Sequence, residues 1–96
     1  MLYLRAIDGR GGDVVRLFER LAILRAASAI PGFVAAELQA AAGSPDELLV
    51  TATWQSAAAY DAWLRSDVRE RMRPELEELL AEPPTPRVYE LVATEP

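Results

Sequence analysis

The stretch from Glu47 to Trp63, ELLVTATWQSAAAYDAW, changes from a strand pattern to a helix pattern within a few residues. β-Branched residues and tryptophan favour a strand that ends at Trp54. Ser56 is a favourable N-cap residue, and the alanine-rich segment after it favours a helix that carries Tyr60 and Trp63. The stretch therefore predicts a strand that leads almost directly into a helix.

The flanking segments predict the other strands of a sheet. Leu2–Ile7 is short, apolar and partly alternating, and Phe33–Ala42 is almost entirely apolar. A turn at 43–46 would pair Phe33–Ala42 with the strand that ends at Trp54. Arg87–Ala93, RVYELVA, predicts a last strand after a rigid proline-rich connector at 83–86.

Two helical regions are predicted between these strands. Apolar residues recur at three- and four-residue spacing from Val14, which predicts an amphipathic helix capped by Asp13 and ended by Pro31. Ser66 or Asp67 can cap a second helical stretch behind the helix of Tyr60 and Trp63. Pro74 lies within this stretch, and we expect it to kink or restart the helix.

The resulting order, β-α-β-β-α-β, is typical of an α+β fold with a ferredoxin-like antiparallel sheet. The chain has 96 residues and predicts a single domain, residues 1–96. The second strand carries apolar residues on both parities, so both faces of the sheet are expected to be covered. Because the helices can cover only one face, we expect the other to meet the same face of a second copy, in a homodimer.

Composition excludes several kinds of site. The chain has no cysteine and no histidine, which removes thiolate chemistry, the commonest general base and the commonest neutral metal ligand. The net charge is −5, and the arginines near residue 70 are interspersed with acidic residues. Nucleic-acid binding is therefore not expected, because it requires net neutralisation of phosphates.

The distribution of apolar residues also argues against a membrane protein. No apolar run approaches the roughly 20 residues of a membrane span. Met1–Arg5 does not have the pattern of a signal peptide, so we expect a cytoplasmic protein.

Two groups of residues carry a resemblance to a known family. They are Pro31-Gly-Phe-Val34 and the segment that begins at Trp54-Gln-Ser56, continues through Ala59-Tyr60 and Trp63-Leu64, and ends with Ser66-Asp67. In these residues, and in the order of its elements, the chain resembles the antibiotic biosynthesis monooxygenase family. The resemblance implies a dimeric α/β barrel.

The resemblance also implies a chemistry. Quinone-forming members use neither metal nor flavin, which predicts a cofactor-independent monooxygenase that oxidises a hydrophobic aromatic substrate of anthrone or polyketide type with dioxygen. Such an enzyme needs a dry pocket, a hydrogen-bond donor for a developing oxyanion and a base. Haem-degrading relatives carry a tryptophan that Trp63 matches, but the haem-ligating histidine is replaced here by Arg73, which cannot bind iron.

The residues predicted to perform this chemistry fall into two sets. The catalytic candidates are Trp63, Tyr60, Arg73 and Glu37, and the substrate-binding candidates are Tyr3, Arg5, Phe18, Trp54 and Tyr89. A buried Glu37 could act as a base; the alternative is an interface ion pair or an edge-strand position facing water. For Arg73 the alternative is an i, i+4 pair with Glu77 at the surface. Trp54, Tyr60 and Trp63 could instead be core residues.

Two other functions are compatible with the sequence. One is a non-catalytic dimer that binds a small molecule or serves in a stress response, and it predicts that Glu37, Tyr60 and Arg73 turn outward. The other is a polyketide cyclase or isomerase on the same fold, which needs an acid–base pair that converges in the pocket.

Overall fold

Residues 1–95 are described in a computed structural model, and Pro96, the last residue of the predicted domain, lies outside the described residues. Strands and helices alternate much as the sequence predicts, but the first helical region, predicted as one helix, forms two. The elements in chain order are β1 (Leu2–Arg5), α1 (Gly11–Arg20), α2 (Ile23–Ser28), β2 (Phe33–Ala41), β3 (Ser44–Trp54), α3 (Ala57–Leu64), α4 (Asp67–Leu79) and β4 (Thr85–Pro86).

The strands form one antiparallel sheet in the order β2-β3-β1-β4. This confirms the predicted α+β fold with a ferredoxin-like sheet. Leu4 lies opposite Leu48, and Leu38 lies opposite Val50, so their side chains share one face of the sheet. The helices cover this face, and the core lies between the two layers. Its buried residues include Leu4, Val14, Leu17, Phe18, Leu48, Met72 and Leu76.

The opposite face of the sheet carries no helix layer, and we call it the open face. Tyr3 is 43% exposed there, and Leu49, opposite it on β3, is partly exposed. This is the face that we expect a second copy to cover, and that expectation stays a prediction. The side chains of the open face are those of Tyr3, Arg5, Ala35, Glu37, Gln39, Glu47, Leu49, Thr51 and Thr53.

The first helical region breaks at Ala22, whose φ of 51° places it in the left-handed region. α1 therefore ends at Arg20 and α2 begins at Ile23, whereas the sequence predicted one helix. Arg10, and not Asp13, is the N-cap residue; Asp13 forms ion pairs with Arg10 and Arg16. An alanine in the left-handed region is not predictable from its own preference, because its Cβ disfavours that conformation.

Serine caps begin both helices of the second region. The Ser56 hydroxyl accepts a hydrogen bond from the Ala59 N–H at 3.2 Å, and the Ser66 hydroxyl accepts one from the Arg69 N–H at 3.3 Å. The restart falls at Ser66, and α4 runs through Pro74. The caps satisfy donors that would otherwise lack partners, which explains why the restart occurs there.

The prediction of a last strand over Arg87–Ala93 is wrong. β4 contains only Thr85 and Pro86, within the segment predicted to be a connector. Pairing with β1 continues only as far as Met1 and Arg87, which exchange two hydrogen bonds of 2.8 Å. Residues 88–95 form no regular secondary structure, because they have no described strand beside them.

Candidate functional site

Four aromatic side chains meet at the end of the sheet where β3 leads into α3. Trp54, the last residue of β3, lies opposite Phe33, the first residue of β2, and their rings are 5.4 Å apart, edge to face. α3 brings the ring centroid of Tyr60 to 6.4 Å from that of Trp54. The same helix stacks Trp63 on Trp54, with 6.5 Å between the ring centroids and 25° between the ring planes. We call these four residues the aromatic cluster.

The chain positions the cluster by local hydrogen bonds and by one glycine. The Gln55 N–H donates to the Gly32 carbonyl at 2.7 Å, which ties the end of β3 to the turn before β2. Gly32 has a φ of +93°, and a Cβ there would lie 2.6 Å from the Cβ of Ala59. Glycine therefore permits both the turn and the close approach of α3.

The indole nitrogen of Trp54 is the unusual polar atom of the cluster. Trp54 Nε1 is buried, and none of the described residues accepts a hydrogen bond from it. Buried tryptophan N–H groups usually have a partner, because an unpaired buried donor is costly. The four side chains are only partly buried, but Nε1 itself is closed off from solvent, so an acceptor from outside the chain can reach it only if a neighbouring side chain moves.

The structure brings together three of the predicted site residues, Tyr60, Trp63 and Trp54. Sequence reasoning missed Phe33 as a member of the cluster, although the resemblance used it as a marker. The pairing of β2 with β3 was predicted, and its register is the signal that could have placed Phe33 against Trp54.

Phe18 does not join the cluster and does not line an accessible surface. It is only 5% exposed and packs in the core between α1 and the sheet. The prediction that it binds substrate is therefore not supported by its position. The amphipathic pattern of α1 is the better guide, because it identifies Phe18 as a residue of the buried helix face.

Glu37, Tyr3 and Arg5 lie on the open face, on the other side of the sheet from the cluster. Glu37 is exposed on the edge strand β2 and accepts a hydrogen bond of 2.9 Å from Gln39 Nε2. Glu37 is expected to act as a base only if it is buried, and in the single chain it is not buried. Tyr3 and Arg5 line a half-open concavity of about 480 Å³ together with Gln39, Glu47, Leu49, Glu82 and Thr85.

Arg73 and Tyr89 also lie away from the cluster. Arg73 is exposed on α4, with its Nε 4.0 Å from a carboxylate oxygen of Glu77. This is the surface pair that the sequence offered as the alternative. Tyr89 is 62% exposed in the segment that follows β4. The predicted catalytic set is therefore divided between the cluster, the open face and the outer surface of α4.

Comparison with known proteins assigns this fold to a class of small α+β proteins. The family model described as antibiotic biosynthesis monooxygenase matches residues 1–82. The chain belongs to the antibiotic biosynthesis monooxygenase family. The comparison with curated protein sequences gives no match.

Solved structures share the fold at low sequence identity. The candidate antibiotic biosynthesis monooxygenase of Nitrosomonas europaea superposes with a TM-score of 0.87 at 13% identity, over 96% of this chain and 95% of that one. PA3566 of Pseudomonas aeruginosa gives 0.80 at 17%, over 95% and 90%. Rv0793 of Mycobacterium tuberculosis gives 0.76 at 19%, over 95% and 94%. These likenesses extend the fold assignment and say nothing of substrate.

Helix length and polarity bear on the expectation that the chain carries no membrane span. In the described residues, no helix is long and apolar enough to cross a membrane.

Proposed function

We propose that this protein binds a planar, electron-rich aromatic molecule at the aromatic cluster and promotes its oxidation by dioxygen without a cofactor. The observation that carries the proposal is the buried Trp54 N–H, which has no acceptor among the described residues and lies within a ring of aromatic side chains. A phenolic or carbonyl oxygen of the ligand becomes the acceptor when a side chain of the cluster moves aside to admit it, and Trp63 and Tyr60 provide the stacking surfaces.

The reaction is the conversion of a ring methylene, as in a hydroxylated anthrone, to a ketone. Loss of a proton from the methylene gives a carbanion whose charge is delocalised onto the ring oxygen. The carbanion reduces dioxygen and forms a C–O bond, and the peroxide then loses water. The sum is R–CH₂–R plus O₂ giving R–CO–R plus H₂O, in which the substrate is oxidised and one oxygen atom is reduced to water.

The protein contributes to the first of these steps. A hydrogen bond from Trp54 Nε1 to the ring oxygen stabilises the oxyanion as charge develops on it, which lowers the barrier to proton loss. Stacking against Trp63 and Tyr60 excludes water from the ring faces and strengthens that hydrogen bond. Glu37 and Arg73 have no part in this step, because they lie away from the cluster, and the proton passes to solvent water.

The test is oxygen uptake and quinone absorbance with a panel of hydroxylated anthrones. We expect Trp54→Phe to reduce turnover by about 100-fold, the usual effect of removing one oxyanion donor. Arg20→Gln is a matched control, since it changes only a surface ion pair of α1 with Glu75. Absence of turnover across the panel, activity abolished by a metal chelator, or full activity in Trp54→Phe would contradict the proposal.

A second candidate function is ligand binding without turnover. The observation that favours it is the outward position of Glu37 and Arg73, which leaves the cluster without the charged groups first considered for it. Titration of tryptophan fluorescence with the same panel separates the two functions. Saturable quenching without oxygen uptake supports binding alone. The cyclase alternative gains no support, because its acid–base pair does not converge.

We further propose that the protein is a homodimer in which the open faces of two copies meet. Tyr3 and Leu49 leave apolar surface on this face, and the concavity beside them would become enclosed by the partner. A two-fold axis brings the same face of each copy together, so one surface provides both halves of the interface.

A further inference from the structure

The concavity on the open face contains charged side chains that the described part of the chain leaves unpaired. These are the side chains of Arg5, Glu47 and Glu82, and all three residues are exposed. The ion pairs within residues 1–95 include none of the three. The concavity therefore presents both signs of charge to a molecule that enters it.

The backbone places the two carboxylates on either side of Arg5. Arg5, the last residue of β1, lies directly opposite Glu47 on β3, so both side chains project from the same face of the sheet. On the other side of β1, the Ala81 N–H donates to the Arg5 carbonyl at 2.8 Å. This hydrogen bond holds Glu82, the next residue, beside the same end of the strand. One cation thus lies between two anions.

The rest of the lining supplies apolar surface and hydrogen-bonding groups. Tyr3 and Leu49 lie opposite each other on this face, and Gln39 and Thr85 also line the concavity. Small-molecule sites combine an apolar surface with a few polar groups in about 300–1,000 Å³. The concavity, at about 480 Å³, has the size and the mixed lining of such a site.

We propose that the concavity is a second ligand site, which binds an α-amino acid with an apolar side chain. The carboxylate of the ligand pairs with the Arg5 guanidinium, which can donate two parallel hydrogen bonds to it. The ammonium group of the ligand pairs with Glu47 and Glu82, and its side chain covers Leu49. A zwitterion matches the lining because it pairs charges of both signs at once.

This site is separate from the aromatic cluster. Arg5 and Glu47 lie at one end of the sheet on the open face, whereas Trp54 is at the other end of β3. The inference therefore does not rest on the proposed oxidation. A partner over the open face would close the concavity around the ligand, so the site is compatible with the proposed homodimer.

Isothermal titration calorimetry of the full chain with L-leucine tests the proposal, because an aliphatic side chain cannot stack in the aromatic cluster as a planar ring does. We expect saturable binding. L-Leucinamide lacks the carboxylate, and N-acetyl-L-leucine lacks the ammonium group. Each should bind roughly 10- to 100-fold more weakly than leucine, the usual effect of losing a hydrogen bond to a charged group.

Variants of the chain locate the site. Arg5→Gln should weaken leucine binding by roughly 10- to 100-fold and should not weaken leucinamide binding, since the amide has no carboxylate to lose. Arg20→Gln removes the same charge from a surface pair of α1 with Glu75 and should bind leucine as the wild type does. Trp54→Phe should also keep the wild-type affinity. Far-UV circular dichroism checks that each variant is folded.

Several results would overturn the proposal. They are no saturable binding of leucine, binding of either analogue as tight as that of leucine, and wild-type affinity in Arg5→Gln. Loss of leucine binding in Trp54→Phe would place the amino acid at the aromatic cluster and would overturn it as well. Failure of the anthrone panel leaves this site unaffected, because leucine binding is measured without turnover.

Discussion

At the scale of single residues, the start of α1 shows how one position can depend on a neighbour far along the chain. A Cβ on Gly11 would lie 2.1 Å from the Pro45 carbonyl oxygen, so only glycine fits. The close approach lets the Gly11 N–H donate to the Asp46 carboxylate at 2.8 Å, and the Gly9 N–H donates to the same group at 2.9 Å. Asp46 therefore anchors the loop between β1 and α1.

This anchor predicts an acid dependence of stability. The hydrogen bonds from Gly9 and Gly11 hold the pKa of Asp46 below its usual value of 3.8. A carboxyl group whose pKa is lower in the folded chain stabilises the fold above its unfolded pKa, and this is lost as the pH falls through the folded pKa. Urea midpoints should therefore fall more steeply below pH 3.8 in the wild type than in Asp46→Asn. Equal slopes in the two proteins would contradict this.

At the scale of elements, the serine caps define where α3 and α4 begin. Ser56 fixes the first turn of α3, which carries Tyr60 and Trp63 to the aromatic cluster. Ser66 does the same for α4, whose buried residues Met72 and Leu76 belong to the core. The two caps are chemically alike but serve different parts of the molecule.

The caps give a matched pair of variants. Ser56→Ala and Ser66→Ala should each lower the free energy of unfolding by about 1 kcal/mol, because each leaves a helix N–H without its acceptor. Only Ser56→Ala should also change the near-UV circular dichroism, since it loosens the helix that stacks Trp63 on Trp54. Denaturant unfolding and near-UV spectra of both variants check this. An equal spectral change in Ser66→Ala would show that the cluster does not depend on the cap of α3.

At the scale of the whole molecule, the sheet has one face covered by helices and one open face. Leu49 lies near the middle of the open face, between Tyr3 on β1 and Gln39 on β2. If two open faces meet, each Leu49 is buried by the partner. This places an apolar side chain at the centre of the proposed interface.

Leu49→Arg therefore tests the face-to-face dimer. It places a cation in the interface from both copies, and we expect the dissociation constant to rise by about 100-fold or more. Gln55→Arg adds the same charge at an exposed position just beyond β3 and should have no effect. Sedimentation equilibrium gives both constants. A Leu49→Arg protein with wild-type affinity would show that the open faces do not meet.

Local patterns in the sequence determined β1, β2 and β3, the hairpin of β2 and β3, the serine cap of α3 and the ferredoxin-like order, because these depend on preferences within a few residues. The same patterns placed the last strand at Arg87–Ala93, where no strand forms. They also placed Tyr60 and Trp63 on one helix, three residues apart. Only the tertiary structure joined Phe33 to Trp54, separated Glu37 and Arg73 from them, and left residues 88–95 without a neighbouring strand. These outcomes depend on strand register and on which segments lie beside each other, which are set by packing between residues distant in sequence.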